Sequence, residues 1–402
     1  MAINREQVGE QGATAQLRRM PIRQLVDEYR EVVQNRDMMD RDLERMMERV
    51  PNYGSTNAGG YETGRCRRLA ARASTLSHLL GDLIEQETVD TQAGSTGGAR
   101  IEYNPINRRV RGWATTGADL VVVRPGEGRA LLERAVEEAY SLHDANDSTR
   151  ITLRTVATDE RLVQGIRGMT VEASVPLGDR HPGLSILYLG HNEPERNTDE
   201  ATFAAQQASL QELLQRGRSN NRHGNVEGQY RISRLRNPSI DDVQEIISVM
   251  QESYSRDGRN VMWYTPTVAN VYRVLNGAVT SVARNERGMI VSMCIAERAS
   301  GLQIDGEPLT MYEISDCGTM HEARGRGLNQ GCIGNVLRSR ELQHADAVFT
   351  EARIAHTPII RAMINNDLEF AGILRNHVQI GGDRDLPETG DIESLTVFYA
   401  PR

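Results

Sequence analysis

Apolar side chains at Leu17, Ile22, Leu25, Tyr29, Val32, Leu43 and Met46 recur at intervals that keep one stripe along a helix, and Pro51 ends the run. A turn-rich stretch, Pro51 to Gly60, separates it from a second helical run through Leu69, Ala73, Leu76, Leu80, Leu83 and Ile84. The two predict an antiparallel helical hairpin, followed by a flexible Gly/Ser/Thr-rich linker over 90–98. From Ala99 the period changes to strand-like alternation. Strands are predicted at 108–114, 120–123, 151–156, 170–175 and 184–189, with a helix over 128–142 after the second. A further helix, capped by Thr198 with Asp199 and Glu200 in its first turn, runs to about Leu214. The polar stretch 218–229 reads as a linker, and 230–402 as a second α/β unit. Four segments result: hairpin and linker (1–98), a smaller α/β domain (99–217), a linker (218–229) and the carboxy-terminal domain (230–402). No repeat of short period is visible.

At 402 residues the chain can bury several cores. It has no run of 18 apolar residues and its first residues are polar, which points to a cytoplasmic protein with neither membrane span nor secretory signal. Cys66, Cys294, Cys317 and Cys332 lack C-x-x-C spacing, and His321, His344, His356 and His377 lack ligand spacing, so no metal is expected. Arginines interleaved with acids at a pI of about 5.7 give no electrostatic case for nucleic acid. One feature of composition stands out: all 47 basic side chains are arginine. Arginine keeps the charge of lysine without an acylable amine. Selection against a primary amine, coding bias, sparing of lysine by an enzyme of lysine metabolism and escape from lysine-directed tagging all account for it.

The sharpest local signal is the predicted strand Met311-Tyr-Glu-Ile-Ser-Asp-Cys-Gly-Thr319, followed by Met320, the turn Arg324-Gly-Arg-Gly327 and a helix opening with Leu328 and Asn329. Glycines let backbone N–H groups approach a pyrophosphate, and a helix start adds positive potential. An ordinary surface turn is the plainer alternative. The earlier Arg124-Pro-Gly-Glu-Gly128 has a similar shape, but Pro125 removes a donor, and it reads as a surface turn.

The turn Arg324–Leu328 after an acidic strand resembles the acyl-coenzyme A loop of the GNAT superfamily of N-acetyltransferases. More narrowly, Glu313-Ile-Ser-Asp316 through Leu328, then Ala352-Arg353, Phe370–Asn376 and Ile392–Tyr399 are similar in order and spacing to the β-lysine N-acetyltransferases; Ile101–Val110 and Gly168–Pro176 resemble that family's amino-terminal half more weakly. Residues 99–402 are covered; the hairpin is not. The resemblance implies a mixed, mainly antiparallel sheet flanked by helices, acetyl-coenzyme A as acyl donor bound by Met320, Arg324, Gly325, Arg326, Gly327, Leu328 and Asn329, and a lysine-type amine as acceptor, either a diamino acid or a protein lysine. The chain departs from the pattern at Pro358-Ile359-Ile360, where the family carries a side-chain amide. Family lysines are arginine here at Arg150, Arg154 and Arg326.

Amine acetylation needs a base for the amine and a proton for the departing thiolate. Glu313 is the candidate base and Asp316 an ammonium-binding or structural carboxylate; on an unbroken strand they point to opposite faces, so only one reaches the site. Tyr399 is a candidate acid. Glu351, Arg353, Glu393 and Ser394 are candidates for holding the acceptor, Arg353 by clamping a carboxylate. The plainer alternatives are ion pairs within the sheet and an ordinary strand tyrosine. Cysteine nucleophiles are rejected for want of an activating histidine. The rival function is a non-catalytic interaction module of the same fold, lysine-free to escape tagging, with the hairpin serving homodimerisation or a partner.

Overall fold

The computed structural model describes residues 100–402 apart from 105–106, 147, 197, 220–228, 257–258, 261–265, 300 and 381–390, with Gln24 alone upstream. The predicted hairpin lies outside the described residues. Two compact units are present. Of the first (Met1–Ala93, Arg236–Ile247 and Pro266–Arg273), the described part is helical, and Ser239 opens its longer helix by exchanging hydrogen bonds with Asp242, whose Oδ2 accepts from the Ser239 N–H at 2.9 Å.

The second unit is built on one sheet. Its long strands are β1 (Arg100–Asn104), β2 (Arg109–Trp113), β3 (Arg150–Ala157), β4 (Thr170–Pro176), β5 (Ser185–Asn192), β6 (Tyr230–Leu235), β7 (Val279–Asn285), β8 (Ile290–Ala299), β9 (Met311–Thr319), β10 (Ala347–Arg353), β11 (Glu369–Ile380) and β12 (Asp391–Tyr399). They lie in the order β1-β2-β3-β5-β4-β11-β12-β10-β9-β8-β7-β6, with Val122–Val123 also paired to β3. Only β2–β3, Val122–Val123 with β3, and β9–β10 are parallel; every other pairing in this sheet is antiparallel. The mixed, mainly antiparallel α/β class expected from the sequence is the one observed.

Helices α1 (Arg129–Ala145) and α2 (Glu200–Arg216) follow β2 and β5; α3 (Ile240–Ser253) and α4 (Val268–Leu275) follow β6; α5 (Leu328–Leu337), the single turn α6 (Arg340–Gln343) and α7 (Thr357–Asn365) flank β10. The cap of α2 is Asp199 rather than Thr198: the Thr202 N–H donates to Asp199 Oδ2 at 2.8 Å, and Thr198 Oγ1 donates to Ile392 O. Among the described residues of this unit, three cores hold the layers. Leu132, Val136 and Ala139 of α1 meet Ile151, Leu153 and Leu189; Leu328, Ile333, Val336 and Ile360 meet Val279, Ile314, Val348 and Phe398; and a third, helix-free core joins Val156, Ile186 and Tyr188 to Met311, Phe349 and Val397. The sheet curls, for β3 and β10 stand five strands apart in the ladder and yet Arg154 of β3 bonds Glu351 of β10 at 2.5 Å.

The seam of the sheet is β4 against β11, paired at Ala173 and Gly372. A Cβ at Gly372 would sit 2.2 Å from Glu172 O, with φ at 155°, so this close approach needs glycine.

Candidate functional site

β9 and β10 pair only from Met311–Ala347 to Ile314–Thr350, although β9 runs on to Thr319 and β10 to Arg353. The strands part where β9 carries a bulge: Ala296 faces Ile314 but Cys294 faces Cys317, so three steps on β9 oppose two on β8. Ile314 and Cys317 accordingly pack against the same core, which strict alternation forbids. The premise that separated Glu313 from Asp316 by face does not hold across this bulge.

A cavity of about 1290 Å³ fills the opening. Its lining comes from Cys317, Gly318 and Thr319 of β9, the turn Arg324–Gly325 with Gly327, the start of α5 at Leu328–Gln330, the start of α7, and Arg353 and Glu393. Gly325 and Gly327 sit at φ 75° and 73°, a region that other residues enter at a cost of about 1–2 kcal/mol. The first intrahelical bond of α5 runs from Gly331 N–H to Gly327 O, so the preceding N–H groups belong to the open end of the helix, where anions are favoured. Arg324 lines the cavity and donates to Thr319 O at 3.3 Å. Arg326 turns away, its guanidinium 5.4 Å from the Tyr230 ring centre and bonded to Gln229. Met320 packs on the core beside the turn and is not part of the lining.

Three lining residues carry a buried polar atom with no partner among the described residues: Gln206 Oε1, Ser253 Oγ and Asn329 Oδ1. Such atoms cost about 1–3 kcal/mol each unless something in the cavity meets them. The Asn329 amide nitrogen faces the strand, donating to Met293 O at 3.3 Å, which leaves its oxygen for a donor. At the opened edge of β9, the Tyr254 hydroxyl takes the place of a partner strand. It accepts from the Cys317 N–H at 2.9 Å and lies 3.1 Å from the Cys317 carbonyl, to which it donates. Burial and nearby Asp316 hold this phenol well above the usual tyrosine range. Tyr254 went unnoticed in the sequence because nothing in a single tyrosine after a helix signals that it completes a strand 63 residues on.

The other predicted residues divide. Arg353 and Glu393 meet in the lining as a bidentate pair, Nε–Oε2 2.7 Å and Nη2–Oε1 2.5 Å, so Arg353 already has its carboxylate. Ser394 is buried and accepts from the Asn376 N–H. Tyr399 does not join them: it sits at the far end of β12 opposite Phe349, bonded to Glu369. Asp316 is buried in the bulge. Pro358 and Ile359 line the cavity while Ile360 is core, so α7 offers no side-chain amide there.

Glu313 opens instead into a second cavity, of about 390 Å³, lined also by Trp113, Arg111, Thr152, Arg154 and His377. Arg154 holds Glu351 at 2.5 Å and stands 3.9 Å from Glu313, its guanidinium 4.9–5.5 Å from the ring centres of Trp113, Tyr188 and Phe349. Burial, reinforced by Glu351 and opposed by Arg154, pushes the Glu313 carboxyl up to about 7. Burial raises the Cys294 thiol well above the usual range and the Cys332 thiol to about 12, so neither of these two is a ready nucleophile.

Among the described residues no cluster of three or more His, Cys, Asp or Glu is placed to hold a metal ion, and no helix is long and apolar enough to cross a membrane. No family model and no curated protein matches this chain. Solved structures that resemble it include N-acetyltransferases. The ribosomal-protein-S18-alanine N-acetyltransferase of Escherichia coli is 12% identical and covers 43% of this chain and 93% of its own, at a TM-score of 0.32. A GNAT-superfamily phosphinothricin acetyltransferase of Sinorhizobium meliloti, in complex with acetyl-coenzyme A, is 17% identical over 43% of this chain and 88% of its own, at 0.33. The ribosomal-protein-alanine N-acetyltransferase of Brucella melitensis is 13% identical over 43% and 99%, at 0.35.

Proposed function

We propose that the chain is an acyl-coenzyme A-dependent N-acyltransferase of GNAT type whose acceptor is a primary amine of lysine kind. The observation that carries this is the parting of β9 from β10 beside a double-glycine helix start. A parallel pair that opens midway leaves strand edge, helix N-terminus and glycine backbone facing one space, and a thioester donor with a pyrophosphate needs all three.

The residues present fit such a donor. Arg324 and the first turn of α5 suit phosphate oxygens, and Gln206 Oε1 and Asn329 Oδ1 await N–H donors of the kind a pantetheine arm carries. These two carboxamides stand in for the side-chain amide missing from α7. When bound, the donor supplies the activated acyl group. Glu313, protonated below about pH 7 and ionised above it, takes the proton from the amine. Tyr254, rather than the distant Tyr399, sits by the opened strand edge with a hydroxyl that stays protonated, and is the better-placed acid. The reading keeps both acceptor forms open, a free diamino acid as in the β-lysine enzymes and a protein lysine; the second is favoured by a chain with no lysine of its own to acylate.

Calorimetry with acetyl-coenzyme A, followed by mass spectrometry of lysine, β-lysine and lysine-bearing peptides incubated with chain and donor, tests it. Saturable binding and one amine gaining the acyl mass are expected. Binding without transfer to any amine would leave the non-catalytic module as the reading.

A further inference from the structure

The sheet contains the same arrangement twice. From one edge the order is β1-β2-β3-β5-β4, and from β8 inward it is β8-β9-β10-β12-β11. In both runs the pairings are antiparallel, parallel, antiparallel, antiparallel, and in both a helix crosses over between the parallel strands. The turns before those helices also agree. Gly126 and Gly128 have φ of 78° and 82°, Gly325 and Gly327 of 75° and 73°, and in each turn the second glycine is the helix cap. In the sequence only these two arginine-and-glycine turns, Arg124–Gly128 and Arg324–Gly327, hint at the repeat; the rest of it lies in strand order.

Only one copy is open. β9 leaves β10 after Ile314, but the β2–β3 ladder continues beyond Trp113–Arg154: the Ala114 N–H donates to Arg154 O, Val122–Val123 pair with Val156–Ala157, and the Thr158 N–H donates to Val123 O. A Cβ on Gly128 would lie 2.1 Å from Val122 O. The chain itself occupies the place that the cavity takes in the other copy.

The shut copy turns its parallel strands toward the open one. Trp113 ends β2 and Arg154 stands opposite it on β3, and the curl of the sheet brings both to Glu313 and Glu351 on β9 and β10. Arg154 is already engaged by Glu351 and three aromatic rings, so its charge is neutralised where an ammonium would arrive, and the half-buried indole of Trp113 offers an apolar wall beside the Glu313 carboxylate. The same cavity is also lined by Arg100, Arg111 and Glu102, but Arg111 is held by Glu102 at 2.7 Å as Arg154 is by Glu351, which leaves the indole and the Glu313 carboxylate side by side to take an alkylamine: stem on the indole, nitrogen on the carboxylate.

We infer that residues 100–192 are a second, shut copy of the transferase fold, converted into the acceptor wall, with Trp113 the residue that seats the stem of a primary alkylamine against Glu313. This rests on the acyltransferase reading above. Arg154 is a positioning residue, acting through Glu351 and Glu313.

The chain has two tryptophans, Trp113 and Trp263. In a Trp263→Phe chain, Trp113 emission reports amine binding without turnover. L-Lysine, 1,5-diaminopentane and a lysine-bearing peptide are titrated, and coenzyme A binding is measured by calorimetry. At least one amine is expected to shift Trp113 emission saturably, and coenzyme A to bind once per chain. Trp113→Ala should raise KM for that amine about tenfold or more with kcat and coenzyme affinity near wild type, and Trp113→Phe, which keeps an aromatic wall, should restore most of it. Silent Trp113 emission with all three amines, an unmoved KM in Trp113→Ala, or two coenzymes bound per chain overturns the inference. The two readings separate: transfer with silent emission removes the acceptor wall alone, whereas an emission shift without coenzyme binding removes the transferase and keeps the wall.

Discussion

Glu313 shows how a residue's chemistry depends on company that its own strand does not supply. Its carboxyl is raised to about 7 first by burial and then by Glu351, with Glu297 adding to the rise and Arg154 and Arg111 opposing it. If it is the base, kcat/KM rises with pH through about 7 and levels above it. Glu313→Gln is expected to cut turnover by about 10²-fold or more and to abolish that limb, with coenzyme affinity near wild type; a retained limb assigns the proton to another group. Stability moves the other way. The folded chain keeps this proton until about pH 7, while the unfolded chain releases it near the ordinary carboxylate value, so over that window folding loses free energy as pH rises. Urea midpoints measured from pH 5 to 7 should therefore fall less steeply in Glu313→Gln than in the wild type.

The cavity beside β9 is a property of elements. A bulge in β9, a double-glycine turn and the start of α5 make it together, and each is vulnerable at one position. Gly327→Asp places a side chain at φ 73° and a negative charge beside the helix start. Strain of about 1–2 kcal/mol plus like-charge repulsion is expected to weaken coenzyme binding at least tenfold by calorimetry. Tyr254→Phe removes the hydroxyl that satisfies both backbone groups of Cys317. A loss of about 1–3 kcal/mol in urea unfolding is expected, with a fall in kcat if Tyr254 is also the acid. Unchanged stability would mean that water replaces the hydroxyl at that edge.

For the whole molecule the missing lysines give the test. If self-acylation is what the chain avoids, exposed Arg→Lys substitutions keep the charge, cost little stability and become acylated in the presence of donor. Arg338 and Arg340 are exposed at the far end of α5, about 15 Å along the ten-residue helix from its capping glycine, so lysines there meet the donor site of another copy rather than their own. Peptide mapping should find the acyl mass on them, at a rate that grows with protein concentration. Lysines that stay unmodified while a true acceptor turns over would remove self-protection as the reason.

Local order was legible in the sequence because it depends on neighbours. Alternating apolar positions mark β3, β4 and β5 within a few residues, and the glycines before Leu328 mark the cradle, since a left-handed turn leaves few other choices. Arg324 and Asn329 lie on that motif and line the cavity beside it, while Glu313, on the same strand, opens into the other cavity. Pairing at long range decided the rest. Nothing near Arg353 says that Glu393 neutralises it, nothing near Arg154 says that it meets Glu351 197 residues on, and the tyrosine beside the opened strand is Tyr254 instead of Tyr399. The bulge that opens β9 is a mismatch of register between two strands, and the twofold layout of the sheet lives in strand order; neither exists until the strands have paired.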